Sequence, residues 1–140
     1  MDRAALDVAL ELGLPCGGWC PKGRLAEDGI LPARYPLTET PSDSYAQRTT
    51  WNARDSDGTL ILTRGAPIGG TAQTVDDAVQ LKKPYLVVDL VQSTDPSPVR
   101  EWLAQQRIRV LNVAGPRESK SPGIYREAWQ FLQRLFGKEA

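Results

Sequence analysis

An α/β fold, with a parallel sheet covered by helices on both faces, is what this sequence predicts, and three observations carry it. Thr59-Leu-Ile-Leu-Thr63 and Tyr85-Leu-Val-Val-Asp-Leu90 are brief apolar runs bounded by turn signals, as buried strands are. Segments with apolar residues at three- and four-residue steps follow them, as helices do. Strand and helix alternate along the chain, which favours a parallel sheet over hairpins.

Taken in order, Asp2 to Leu12 predicts a helix whose apolar face is Ala5, Leu6, Ala9, Leu10 and Leu12, and Gly13 stops it. Leu14 to Trp19 reads as a short extended segment. Pro21 to Pro41 contains four prolines (21, 32, 36 and 41) and Gly23 and Gly29, the composition of a long irregular loop. Loops of that length in a compact domain are usually functional. Ser42 or Ser44 is placed to cap a second helix running to about Asp55. After the Thr59 strand, Thr71 to Leu81 is helical, closed by Lys83-Pro84. The Tyr85 strand leads to a helix over Ser97–Gln106 and a strand over Ile108–Val113. A polar turn follows, then a last helix over Gly123–Phe136 with Ile124, Ala128, Phe131, Leu132 and Leu135 as its stripe.

Composition narrows the functions. At 140 residues the chain is one domain over 1–140, large enough for a real core. Seventeen basic and seventeen acidic residues cancel, against the basic excess of a nucleic-acid surface. No apolar stretch approaches the ~20 residues that cross a bilayer, and the N-terminus lacks the order of a signal peptide. A soluble, cytoplasmic protein without a membrane or nucleic-acid partner is expected. Cys16 and Cys20 flank Gly-Gly-Trp in a spacing that is neither CxxC nor half of a zinc signature, so reduced thiols are expected and no metal site. The absence of histidine removes Ser-His-Asp and Cys-His pairs.

Gly65-Ala-Pro-Ile-Gly-Gly-Thr-Ala-Gln-Thr74 lies between the Thr59 strand and the helix after it. Glycines there let backbone N–H groups approach a ligand with no Cβ in the way. A helix N-terminus adds unpaired donors and partial positive charge, so an anion is the expected guest. A tight turn with no ligand would use glycine too. Ligands of parallel sheets bind beyond the carboxyl ends of the strands. That rule predicts that Arg64–Thr71, Asp89–Thr94 and Ala114–Ser121 converge on one site.

Gly-Gly-Trp-Cys-Pro-Lys-Gly-Arg-Leu-Ala-Glu-Asp-Gly (17–29), Tyr-Pro-Leu-Thr-Glu-Thr (35–40) and Arg-Asp-Ser-Asp-Gly-Thr-Leu-Ile-Leu (54–62) resemble the family of proteins named molybdenum carriers. So do Gly-Gly-Thr-Ala-Gln-Thr (69–74) and Asn-Val-Ala-Gly-Pro-Arg-Glu-Ser-Lys-Ser-Pro-Gly-Ile-Tyr (112–125). The resemblance implies a Rossmann-like, doubly wound fold, related to lysine decarboxylase-like and YpsA-like nucleotide-binding proteins. It implies binding of molybdenum cofactor or a nucleotide-like phosphate ligand. Members of that family open with a strand and a glycine loop, whereas this chain starts on the helix that follows them. A gap in the sheet is therefore expected, and exposed apolar edges that favour a homo-oligomer.

Under this resemblance, Gly69, Gly70 and Thr71 offer backbone N–H groups and a hydroxyl to phosphate or molybdate oxygens. Related phosphoribohydrolases carry a glutamate where Thr74 stands, and threonine cannot serve as a carboxylate base. No catalytic residue is assigned. Arg117, Ser119 and Lys120 suit an oxyanion at a strand end, with a solvated polar turn as the other reading. Lys22, Arg24, Glu27 and Asp28 form either a lid or an exposed charged loop. Arg48, Trp51, Asn52 and Asp55 fall on one helical face, lining a pterin or base or simply facing outward. Asp89 follows the glycine turn by about 20 residues, as an acid on a ribose hydroxyl would; capping the next turn is its alternative. The functional expectation is a carrier of molybdenum cofactor, a phosphorylated pterin or molybdate. The alternative is a domain that senses or hydrolyses a nucleotide such as ADP-ribose, NAD or AMP, for which Glu118, Asp89 and Asp28 would be the carboxylates.

Overall fold

The computed structural model describes residues 1–26 and 29–137. Helix α1 (Asp2–Leu12) opens the chain and ends where Gly13 turns left-handed at φ 69, letting the Leu14 N–H return to the Ala9 carbonyl at 2.8 Å. Four two-residue strands follow: β1 (Trp19–Cys20), β2 (Leu25–Ala26), β3 (Gly29–Ile30) and β4 (Thr38–Glu39). Helix α2 (Tyr45–Arg54) has Ser44 as its N-cap, the hydroxyl accepting from Ala46 N at 3.2 Å. Then strand and helix alternate through β5 (Gly58–Thr63), α3 (Gly69–Gln80), β6 (Tyr85–Asp89), α4 (Ser97–Gln105), β7 (Leu111–Ala114) and α5 (Ile124–Phe136).

The last three strands form a parallel sheet in the order β6-β5-β7, with β5 buried along its whole length. Pleat alternation sorts its side chains. Leu60 and Leu62 join Val8 of α1, Val99 of α4 and Phe131 and Leu132 of α5 in one core. Thr59, Ile61 and Thr63 face the other way, where α3 packs on β5 and β6 and α2 packs on α3. Both faces are thus covered, and the fold is Rossmann-like and doubly wound. Each Leu- or Phe-sized side chain buried this way contributes about 1.5–3 kcal/mol, so the apolar stripe of α5 is a principal anchor.

Strand order decides where a crevice forms. The β5-α3-β6 crossover leaves β5 to one side, and β6-α4-β7 returns across the opposite face to the other side. The order therefore reverses between β5 and β7, and the crevice lies beyond their carboxyl ends. Among the described residues, β7 pairs with β5 alone. The β1–β4 pair, parallel with Trp19↔Thr38 and Cys20↔Glu39, forms a separate sheet, as does the antiparallel β2–β3 pair.

Two sequence expectations shift. The strand expected over Ile108–Val113 runs over Leu111–Ala114, because Asp57 takes the N–H groups of Arg109 and Val110 at 3.0 and 2.9 Å before the strand begins. The loop over Pro21–Pro41 also contains β4 and the β2–β3 pair. Its organiser is Arg24, held at φ 55, whose guanidinium donates to the carbonyls of Leu31, Pro32, Tyr35 and Leu37 at 2.9–3.3 Å.

Candidate functional site

A cavity of about 1290 Å³ opens at the β5/β7 crevice, wider than the 300–1,000 Å³ usual for small-molecule sites. One wall is the end of β5, the N-terminus of α3, and the turn after β7. The rest comes from α1, β1, α2, the loop around Tyr35 and the start of α5.

Gly69, Gly70 and Thr71 form the first turn of α3 and line this cavity. Gly69 takes φ +54, a left-handed conformation that side chains disfavour, and a Cβ on either glycine would meet nothing within 4 Å. The helix has no side-chain cap and no acid in its first turn. The Thr71 N–H already goes to the Ile68 carbonyl at 3.1 Å, so the donors of this helix start are the N–H groups of Gly69 and Gly70, at the positive end of the helix dipole, with the Thr71 hydroxyl beside them. Thr74, one turn on, is buried and returns its hydroxyl to the Gly70 carbonyl at 3.1 Å. That side chain therefore reinforces the turn.

Charge is concentrated here although the chain is neutral overall. The walls include Arg3, Arg34, Arg48, Arg64, Arg117 and Lys120, against the carboxylates of Asp7 and Glu118 among the described residues. Arg117 lies 4.2 Å and Arg48 5.6 Å from the centre of the Tyr45 ring, within cation–π range. This places a residue of α2 beside the turn after β7. Ser119 and Lys120 line the cavity with Arg117, and the turn is closed by Lys120 N donating to the Arg117 carbonyl at 3.0 Å.

Other charges support the frame. Arg64 makes a two-pronged bond to Glu127 at 3.0 and 2.7 Å and donates to Ser121 and the Pro122 carbonyl, fixing the β5 end against α5. Its bonds to Glu127 hold that carboxyl below the usual range. Glu118 accepts the Gly123 N–H with both oxygens, which caps the entry to α5. Arg24 spends its guanidinium on its own loop, as described above.

Two of the three predicted strand-end segments meet: Arg64–Thr71 and Ala114–Ser121 line one cavity. Asp89 and its successors do not line it, because β6 is on the far side of β5 from β7. The Asp89 carboxylate accepts Val91 N–H at 3.0 Å in a local turn. Lys22 borders a separate depression with Glu39 and Asp43. Glu27 and Asp28 lie outside the described residues. On α2, Arg48 and Asn52 line the cavity, whereas Trp51 packs edge-on against Trp19, with ring centres 4.8 Å apart. Cys20 is buried at the cavity wall, and burial pushes its thiol up from the ordinary value. No group of three histidine, cysteine or carboxylate side chains is placed to hold a metal ion among the described residues.

Sequence reasoning missed Asp7. Its carboxylate lies in the cavity wall, with its side chain 17% exposed. Tyr35 Oη donates to Oδ1 at 2.8 Å and Tyr125 Oη donates to Oδ2. Burial, with this carboxylate alongside, pushes both phenols above their ordinary range. A signal was present: an acid between Leu6 and Val8 in an apolar helix, and tyrosines at the edges of two of the quoted motifs.

No curated protein matches the chain. A solved structure, named "Putative molybdenum carrier protein" from Syntrophus aciditrophicus SB, is 45% identical, covering 97% of this chain and 88% of that one with a TM-score of 0.95. The fold is thus that of a solved relative. The model of the circularly permuted YpsA SLOG family matches residues 1–136, and the chain belongs to that family.

Proposed function

We propose that this protein is a carrier for a molybdenum-related ligand, a phosphorylated pterin such as molybdenum cofactor, held by its phosphate. The observation that carries the reading is the meeting of the Gly69–Thr71 helix start with Arg48, Arg117, Ser119 and Lys120 in one cavity. Backbone donors on an open glycine turn approach phosphate oxygens closely, and arginine adds bidentate contact. When bound, the cofactor supplies the metal on its own dithiolene sulfurs. The chain's residues hold its phosphate and shield it from water. The name of the solved relative points the same way.

Nucleotide sensing would use the same phosphate site. Hydrolysis finds less support, because a base is needed near the reacting bond. Thr74 is turned back on its own helix, and Glu118 is engaged with the Gly123 N–H.

The test is a thermal-shift and calorimetric series with molybdate, AMP, ADP-ribose, NAD and molybdenum cofactor, on the parent chain and on Gly70→Asp. A ligand bound to the folded state alone raises the melting temperature with concentration. Molybdenum cofactor should raise it in the parent chain. The carboxylate of Gly70→Asp should weaken binding at least about tenfold. The unliganded melting temperature should stay close to the parent's, since a Cβ there meets nothing within 4 Å. A shift with nucleotides alone would replace the carrier reading by the sensing one. Binding unaffected by Gly70→Asp would remove the site.

A further inference from the structure

Among the cations of the cavity, the carboxylate of Asp7 is held in one orientation. Tyr35 and Tyr125 each have a single phenolic proton, and each gives it to a different Asp7 oxygen. Tyr35 Oη in turn accepts from Arg34 Nη2 at 2.9 Å, while Arg34 stands 3.7 Å from Asp7 itself. Donors on both oxygens fix the carboxylate plane. A carboxylate accepts about four hydrogen bonds, so each oxygen keeps acceptor capacity beyond its phenol.

Two parallel acceptors at fixed spacing suit two adjacent N–H donors on a planar guest, the geometry by which a carboxylate takes a guanidinium. The 2-aminopyrimidin-4-one ring of pterins and of guanine offers such an edge, a ring N–H beside an exocyclic amine. The half-buried Tyr125 ring lines the same cavity and supplies flat apolar surface for a heterocycle, whereas Tyr35 is buried, with Arg34 4.9 Å from its ring centre, and serves to hold the carboxylate.

We infer that Asp7, braced by Tyr35 and Tyr125, is the specificity determinant that reads the 2-amino edge of an aminopyrimidinone heterocycle. The inference rests on the phosphate-binding reading above, which places the other end of that ligand on Gly69–Thr71 and Arg117–Lys120. A carboxylate that only tied α1 to α5 and to the Tyr35 loop would leave ligand choice unchanged.

The experiment is calorimetric titration of the full chain with two matched pairs: GMP against IMP, and neopterin monophosphate against its lumazine counterpart. Within each pair the second member lacks the 2-amino group. Losing a hydrogen bond to a charged partner costs about tenfold or more in affinity, so GMP and the pterin should bind at least about tenfold tighter than their partners. The pair with the larger preference tells whether guanine or pterin is the better fit. Asp7→Asn should collapse the preference: IMP, which keeps the ring N–H, loses affinity as well, but GMP loses more, so the two members of the pair converge. The parent comparison decides the matter even where that variant does not fold. Equal binding within both pairs, with both lost in Gly70→Asp, overturns the role of Asp7 and leaves the phosphate site standing. No binding of any of the four, in parent or variant, overturns both readings.

Discussion

The two sides of the cavity are built differently. On the sheet side, the end of β5, the start of α3 and the turn after β7 are placed by strand order. The glycines there leave open space where a Cβ would stand, at the start of a helix that lines the cavity. On the loop side, the chain between Pro21 and Pro41 has little regular structure to satisfy its carbonyls, and Arg24 takes four of them. Asn52 likewise acts as a strand partner for β1, accepting Trp19 N–H at 2.8 Å and donating to the Trp19 carbonyl at 3.2 Å. A regular wall can spend its polar groups on a guest, whereas an irregular one consumes many of its own to exist.

The sharpest way to break this contrast is Arg24→Ala. Bonds from a charged donor are worth roughly 1.5–3 kcal/mol each and are not additive, and the carbonyls left behind lose their partner. A stability loss of about 3 kcal/mol or more is expected, read as a lower urea midpoint. Phosphate affinity per folded molecule should stay within about twofold, because the sheet side is untouched. An equal collapse of phosphate binding would show that the two walls are one unit.

Gly115→Ala tests the sheet side. A Cβ there would lie 2.2 Å from the Leu62 carbonyl oxygen and 2.6 Å from Met1 Cε, so the turn after β7 must move. Overpacking of this kind costs about 1–3 kcal/mol. The same change displaces Arg117 and Lys120, so affinity for phosphate ligands should fall along with stability. Stability lost with affinity retained would separate the turn from the site.

The same contrast explains what could be read from the sequence. Strand–helix alternation and the Gly69–Gly70 turn are local signals, and crossover rules turn them into a crevice with few alternatives. The Ser44 cap and the Gly13 stop are equally local and fall where expected. Strand order was not visible in any single segment, and it is what takes Asp89 away from the crevice. Arg24 could be seen as a cation, but four carbonyl partners spread over residues 31–37 follow from the path of an irregular loop. Asp7 depends on partners 28 and 118 residues away, beyond any periodicity.

A smaller effect sharpens the contrast through pH. Asp55 accepts Arg54 Nε at 2.9 Å and Trp19 Nε1 at 2.7 Å, and these bonds hold its carboxyl down at about 2, from an ordinary 3.8. A carboxyl depressed in the folded state contributes stability that is present above its unfolded value and is lost as pH falls through the folded one. The window therefore runs from pH 3.8 down to about 2. The pair is largely exposed, with side chains 45% and 47% accessible, so screening keeps the contribution small. Asp55→Asn should lower the melting temperature slightly at neutral pH, and the gap from the parent should close across that window. Tryptophan near-ultraviolet dichroism should report the acid change first, since Trp19 is stacked edge-on against Trp51. The far-ultraviolet signal of the β6-β5-β7 sheet and its helices should persist through it. A single coincident transition in both signals would mean that the side-chain bonds of the loop wall hold the sheet as well, and the division into two kinds of wall would fail.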